Sequence, residues 1–132
     1  MTTAPLPVFD ADALRQAASR GGGRPPCERC AALACPGWET VPGGCDRTAL
    51  QRIATLRQPG DDEPSTTEYH PGGTNSWSPE APIAVGHAPY NRCDVWQCIG
   101  CGRVFLRYTE YEGYYVDERI RAVDPARVVH AG

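Results

Sequence analysis

The sequence predicts a mainly β fold: an antiparallel sheet with one or two short helices, in a single domain over residues 1–132. Three observations predict it. Residues 94–97, 103–109 and 114–123 are rich in β-formers and are separated by glycine-bearing turns. Gly and Pro fill 14 and 13 of the 132 positions, so loops take a large share of the chain and the core must be small. A small core needs a staple, and the seven cysteines include two pairs spaced Cys-x-x-Cys.

The elements follow in chain order. Asp10 is placed to cap a short helix over 11–19, and Gly21 is placed to end it. Leu14, Ala17 and Ala18 form its apolar stripe. Residues 21–26 make a loop that delivers Cys27-x-x-Cys30. Cys35 and Cys45 lie in a Gly/Pro-rich stretch, after which Asp46 can cap a helical turn reaching about Leu50. Residues 51–57 carry Ile53 and Thr55 and end at Pro59-Gly60, so they read as a strand. Residues 66–78 read as a hairpin around Pro71-Gly72-Gly73. Pro79, Pro82 and Pro89 make 78–91 mostly irregular.

The C-terminal third holds the clearest local structure. A two-residue loop at Glu112-Gly113 would set Tyr111 opposite Tyr114, Thr109 opposite Val116, Arg107 opposite Glu118 and Phe105 opposite Ile120. The other face would then pair Tyr108 with Asp117 and Leu106 with Arg119. Such pairs are favourable cross-strand contacts, and a one-residue slip would break the Arg107–Glu118 pair. Trp96, Phe105 and Val116 are the expected core residues.

Cys27, Cys30, Cys98 and Cys101 form a Cys-x-x-Cys…Cys-x-x-Cys set. Thiolates two residues apart on a turn can grip one ion from the same side, and zinc takes four soft ligands in a tetrahedron. Gly102 suits the sharp bend this asks of the backbone. The expectation is one zinc ion, a zinc-knuckle hairpin and a zinc-ribbon-like sheet. Residues 31–97 then form an insertion between the two halves, long for such a fold. Cys93 is the main competing ligand; Cys35, Cys45 and His70 are weaker ones.

Enzyme readings fare poorly. Pro26-Cys27-x-x-Cys30 matches half of the zinc-deaminase signature, but that chemistry needs His-x-Glu upstream. All three histidines (His70, His87, His130) lie downstream. Four thiolates also leave no open position for water. A thioredoxin-like site needs a βαβ context that the sequence lacks. The expectation is a protein that is not an enzyme.

The formal charge is −3, and the thirteen basic residues are all arginines. Residues 58–91 hold five acids and no arginine; residues 92–132 hold six of each. In the middle segment this disfavours a phosphate-binding surface and favours a basic protein partner, the alternative being a solvated loop that keeps the protein soluble. Nucleic-acid binding or a regulatory role through a zinc ribbon is the alternative. Its basic patch would draw on Arg103, Arg107, Arg119 and Arg121, which alternate with acids. Asp61, Asp62, Glu63, Glu68, Glu110 and Glu112, with Tyr111 and Tyr114 at the hairpin tip, are the expected partner face: rings anchor and carboxylates steer. No basic, apolar leader and no membrane-spanning run occurs, so a reducing cytoplasm is expected, where cysteines serve as ligands more than as disulfides.

The stretch Cys93-Asp-Val-Trp-Gln-Cys-x-x-Cys-Gly-Arg-x-Phe-Leu-Arg-Tyr-Thr-Glu-Tyr-x-Gly-Tyr-Tyr-Val-Asp-Glu-Arg-Ile-Arg resembles the C-terminal part of small bacterial immunity proteins. These are cytoplasmic antidotes to contact-dependent or polymorphic toxins. The resemblance covers about a third of the chain. It implies tight stoichiometric binding of a basic toxin domain without catalysis, and it carries over no contact residue.

Overall fold

A computed structural model describes residues 7–21, 28–33, 37–41, 47–57, 69, 78, 81–110 and 116–130. It is mainly β with one α-helix among the described residues. The helix, α1, spans Ala11–Gly21. The strands are β1 (Glu39–Thr40), β2 (Leu50–Thr55), β3 (Ile83–Val85), β4 (Asp94–Cys98), β5 (Val104–Glu110), β6 (Asp117–Ala122) and β7 (Val128–His130).

The helix starts where the sequence places it. Asp10 Oδ1 accepts the Ala13 N–H at 2.8 Å, satisfying one of the donors that a helix start leaves over. Leu14, Ala17 and Ala18 are buried. Arg15 Nη2 donates to the Val128 carbonyl at 3.0 Å and ties α1 to β7. Replacing Asp10 with Ala should cost about 1 kcal/mol, read as a lower midpoint in urea unfolding at unchanged slope. A loss below about 0.3 kcal/mol would mean the cap is idle.

Five strands form one antiparallel sheet in the order β1-β6-β5-β4-β2. Side chains along β5 alternate between its two faces, as the pleat requires. Val104, Leu106 and Tyr108 pack into a cluster with α1, Trp38, Leu56, Ile83, Tyr90 and Val95. Phe105 points the other way, into a smaller cluster with Leu33, Val41, Leu50 and Ile120. In β2 the register jumps between Arg52 and Ala54. The extra residue, Ile53, lets Ile53 and Ala54 both pack on the helix side.

Two sequence expectations are corrected here, and a third is refined. The β5–β6 register is offset by two residues: Arg107 faces Ile120, Thr109 faces Glu118 and Glu110 faces Asp117. The connection is longer than a two-residue turn. An offset of two keeps every side chain on its expected face, so Arg107 still reaches Glu118, at 3.2 Å, as a diagonal neighbour. Val116, expected in the core, falls before the paired strand and is 68% exposed. Within the mostly irregular 78–91 stretch, the three residues of β3 pair with β7 in a small parallel sheet. That pairing joins segments far apart in sequence and leaves little local signal. The hairpin expected at 66–78 lies outside the described residues except for Tyr69 and Ser78.

Candidate metal centre

The β4–β5 turn is built for close backbone packing. Cys98 N donates to the Arg103 carbonyl at 2.8 Å, and Gly102 N donates to the Cys98 carbonyl at 2.9 Å. Gly102 has φ 83°, a conformation that a side chain would oppose. Ile99 N donates to the Ala49 carbonyl at 2.9 Å, fastening the turn to the start of β2. Gly100 N reaches the Cys98 sulfur at 3.4 Å. Cys30 is supplied by a separate segment, at the head of a 3-10 turn over Ala31–Leu33.

Cys30, Cys98 and Cys101 meet there, with all three sulfurs within 4.8 Å of one another. Cys30 and Cys98 are buried and Cys101 is half-buried. The Cys30 and Cys101 sulfurs lie 3.6 Å apart although 71 residues separate them. A disulfide would need about 2.05 Å. Sulfurs sharing a tetrahedral ion at about 2.3 Å each lie about 3.8 Å apart. The observed separation fits an edge of that tetrahedron. These three cysteines can hold a metal ion, and three soft sulfurs suit thiophilic metals over calcium or magnesium. Beneath the sulfurs lie Leu33, Leu50, Phe105 and Ile120.

Cys27, the fourth expected ligand, lies outside the described residues, as do Cys35, Cys45 and His70. Cys93, the main expected competitor, is not in the cluster. It is fully buried in the core on the helix side, where its Sγ donates to the Pro89 carbonyl at 3.4 Å. Cys93 and Cys98 are five residues apart, an odd number, so strand alternation sends them to opposite faces. That parity was available in the sequence.

The expected partner face falls almost wholly outside the described residues: Asp61, Asp62, Glu63, Glu68, Tyr111, Glu112 and Tyr114 all do. Glu110 lies in β5, and its side chain is not described. The arginines of the alternative reading are dispersed. Arg121 is fully buried, with its guanidinium donating to the Tyr90 hydroxyl and the Ala81 carbonyl, both at 2.6 Å. Arg119 lies 3.8 Å from Asp117. Arg107 sits 4.3 Å from the centre of the Trp96 ring, a cation–π contact, and pairs with Glu118. Trp96, expected in the core, is half-buried; Phe105 is fully buried. Beyond Trp96 on the same face, Arg52 and Arg57 both pair with Asp94, at 3.3 and 3.0 Å.

Burial pushes the Cys93 thiol well up, and the Asp94 carboxylate adds to it against a pull from Arg57. Burial also raises Tyr90, opposed by the charge of Arg121. As pH rises, the unfolded chain loses these protons first, from about pH 8.5 for a thiol and about 10 for a phenol. Above those values the unfolded state holds fewer protons than the fold, so stability falls with rising pH. The stabilisation is fully present below about pH 8.5 and is lost as pH climbs through the folded values. Urea midpoints should therefore decline above about pH 8.5. Cys93→Ser keeps a donor for Pro89 and removes the thiol, so it should flatten the first part of the decline. An unchanged profile in that variant would place the loss elsewhere.

Among the described residues, no helix is long and apolar enough to cross a membrane. Comparison of the chain with protein-family models, with curated proteins and with solved structures found no match.

Proposed function

We propose that the chain is a cytoplasmic protein-binding module of the immunity-protein kind, which neutralises a basic toxin domain and whose sheet is closed by one structural zinc ion. The observation that carries the zinc half is the convergence of Cys30, Cys98 and Cys101 over an apolar floor. Cys27, three residues before Cys30, is the natural fourth ligand. A site made of thiolates fixes structure, and binding a toxin needs no catalysis. Zinc here would pin the 28–33 segment to the β4–β5 turn, joining parts of the chain about 70 residues apart in sequence.

Support for the binding half comes from charge. Residues 58–91 hold five acids and no arginine, and tyrosines crowd 108–115 beside Glu110 and Glu112. The arginines of β5 and β6 are occupied within the fold, through Glu118, Asp117, Tyr90 and Ala81. One observation favours the alternative, a nucleic-acid role: Trp96 and Arg52 face each other across β2 and β4, with Arg57 nearby. Rings among arginines can stack single-stranded bases.

The deciding experiment looks for a basic toxin gene immediately upstream of this chain's own and measures association of the chain with its product. The on-rate should fall as salt rises, and reversing Asp61, Asp62 and Glu63 to Lys should slow it further. Tyr111→Ala or Tyr114→Ala should act on the off-rate, costing about 2 kcal/mol at a hot spot. Binding of a single-stranded oligonucleotide with a steep salt slope, unmoved by either set of changes, would replace the toxin reading with the nucleic-acid one.

A further inference from the structure

We propose that Cys101 is a site of reversible oxidation, and that a hydroperoxide converts Cys30 and Cys101 into a disulfide that withdraws both sulfurs from the metal. Loss of metal in this scheme rests on the zinc reading above; formation of the sulfur–sulfur bond does not. Two features single out this pair. Cys101 is the half-buried member of the cluster, and Cys30 and Cys98 are buried, so an oxidant from solvent meets Cys101 first. Cys30 Sγ already lies 3.6 Å from Cys101 Sγ. Bond formation needs a closure of about 1.5 Å, within reach of side-chain rotation.

The chemistry balances in two displacements. Cys101 sulfur, as thiolate, attacks one peroxide oxygen; an S–O bond forms, the O–O bond breaks, and the other oxygen leaves as hydroxide or alkoxide and takes a proton from water. Cys30 sulfur then attacks the Cys101 sulfenic sulfur; the S–S bond forms, the S–O bond breaks, and hydroxide leaves. Two thiolates lose two electrons and the peroxide gains them. The new bond joins residues 71 positions apart and still pins the 28–33 segment to the β4–β5 turn. The oxidised chain therefore keeps its sheet with a covalent staple where the ion had been.

The test uses the full-length chain, with metal content measured first. Hydrogen peroxide is added, zinc release is followed with a chromogenic chelator, and disulfides are mapped without reduction by tandem mass spectrometry. The expected result is release of about one zinc per chain, in step with a Cys30–Cys101 linkage, with the β circular dichroism signal retained. Dithiothreitol plus zinc should reverse both. Zinc retained while a control thiol peptide is oxidised would overturn the proposal. So would a dominant linkage between any other cysteines, or loss of the β signal as the disulfide forms. If the isolated chain holds no metal, the zinc reading fails by itself, and the mapped linkage still decides the disulfide. Mapping needs no cluster variant that could fail to fold. Cys93→Ser should give the same linkage, and a changed product there would also overturn the assignment.

Discussion

Cys98→Ser should strip the metal from the protein and lower its stability by at least about 3 kcal/mol, because a structural zinc site contributes its binding energy directly to folding. Serine is a poor zinc ligand, and its hydroxyl would sit over the apolar floor of Leu50, Phe105 and Ile120. The comparison that isolates the metal is Cys93→Ser. Both cysteines are buried to within 2% exposure, so both changes place a hydroxyl in an apolar site. Only Cys98 belongs to the three-sulfur cluster. The burial penalty alone is about 1–3 kcal/mol and should be similar for the two. Thermal unfolding and elemental analysis on the two variants check this. Cys93→Ser should retain about one zinc per chain and Cys98→Ser none. Equal stability losses with no metal in the parent protein would end the zinc reading.

Arg121→Ala should destabilise the fold by about 3–5 kcal/mol, although arginine substitutions at a surface usually cost little. Arg121 has no exposed area and lies opposite Leu106 in the sheet. Its guanidinium donates to the Tyr90 hydroxyl and the Ala81 carbonyl, bridging β6 to the segment before β3 and to the turn before β4. Truncation takes away both donors and opens a cavity beside the main cluster. Arg121→Met keeps most of the volume and separates the two contributions: a loss close to that of Ala assigns the cost to the hydrogen bonds, and a much smaller one assigns it to the cavity. Urea unfolding at constant slope is the measurement. A loss under about 1 kcal/mol for Arg121→Ala would show that the buried guanidinium holds nothing together.

Much of the local structure was legible in the residues. Asp10, the Leu14–Ala17–Ala18 stripe and Gly21 mark out α1 because capping and helical spacing act over a few positions. Residues 51–57, 94–97 and 103–109 coincide with β2, β4 and β5, where β-branched and aromatic residues favour a pleated, half-buried surface. The period of two also sent Arg107 and Glu118 to one face, correctly even though the hairpin register differs by two residues. The Cys98-x-x-Cys101 turn with its glycine is local too, and two of the three clustered sulfurs followed from it.

By itself, then, the sequence determined the helix with its cap, most of the central strands, the faces that the β5 and β6 side chains take and the bend at Gly102. These depend on neighbours a few residues apart. Only the tertiary structure decided the rest: the pairing of β3 with β7, the place of Cys30 beside Cys101, the burial of Arg121 and the exposure of Val116. Each joins or parts segments distant in the chain. An arginine in an alternating strand reads as surface until Tyr90 and the Ala81 carbonyl close over it. The physical reason is that such contacts arise from the whole core closing at once, and no short stretch of sequence carries their energy.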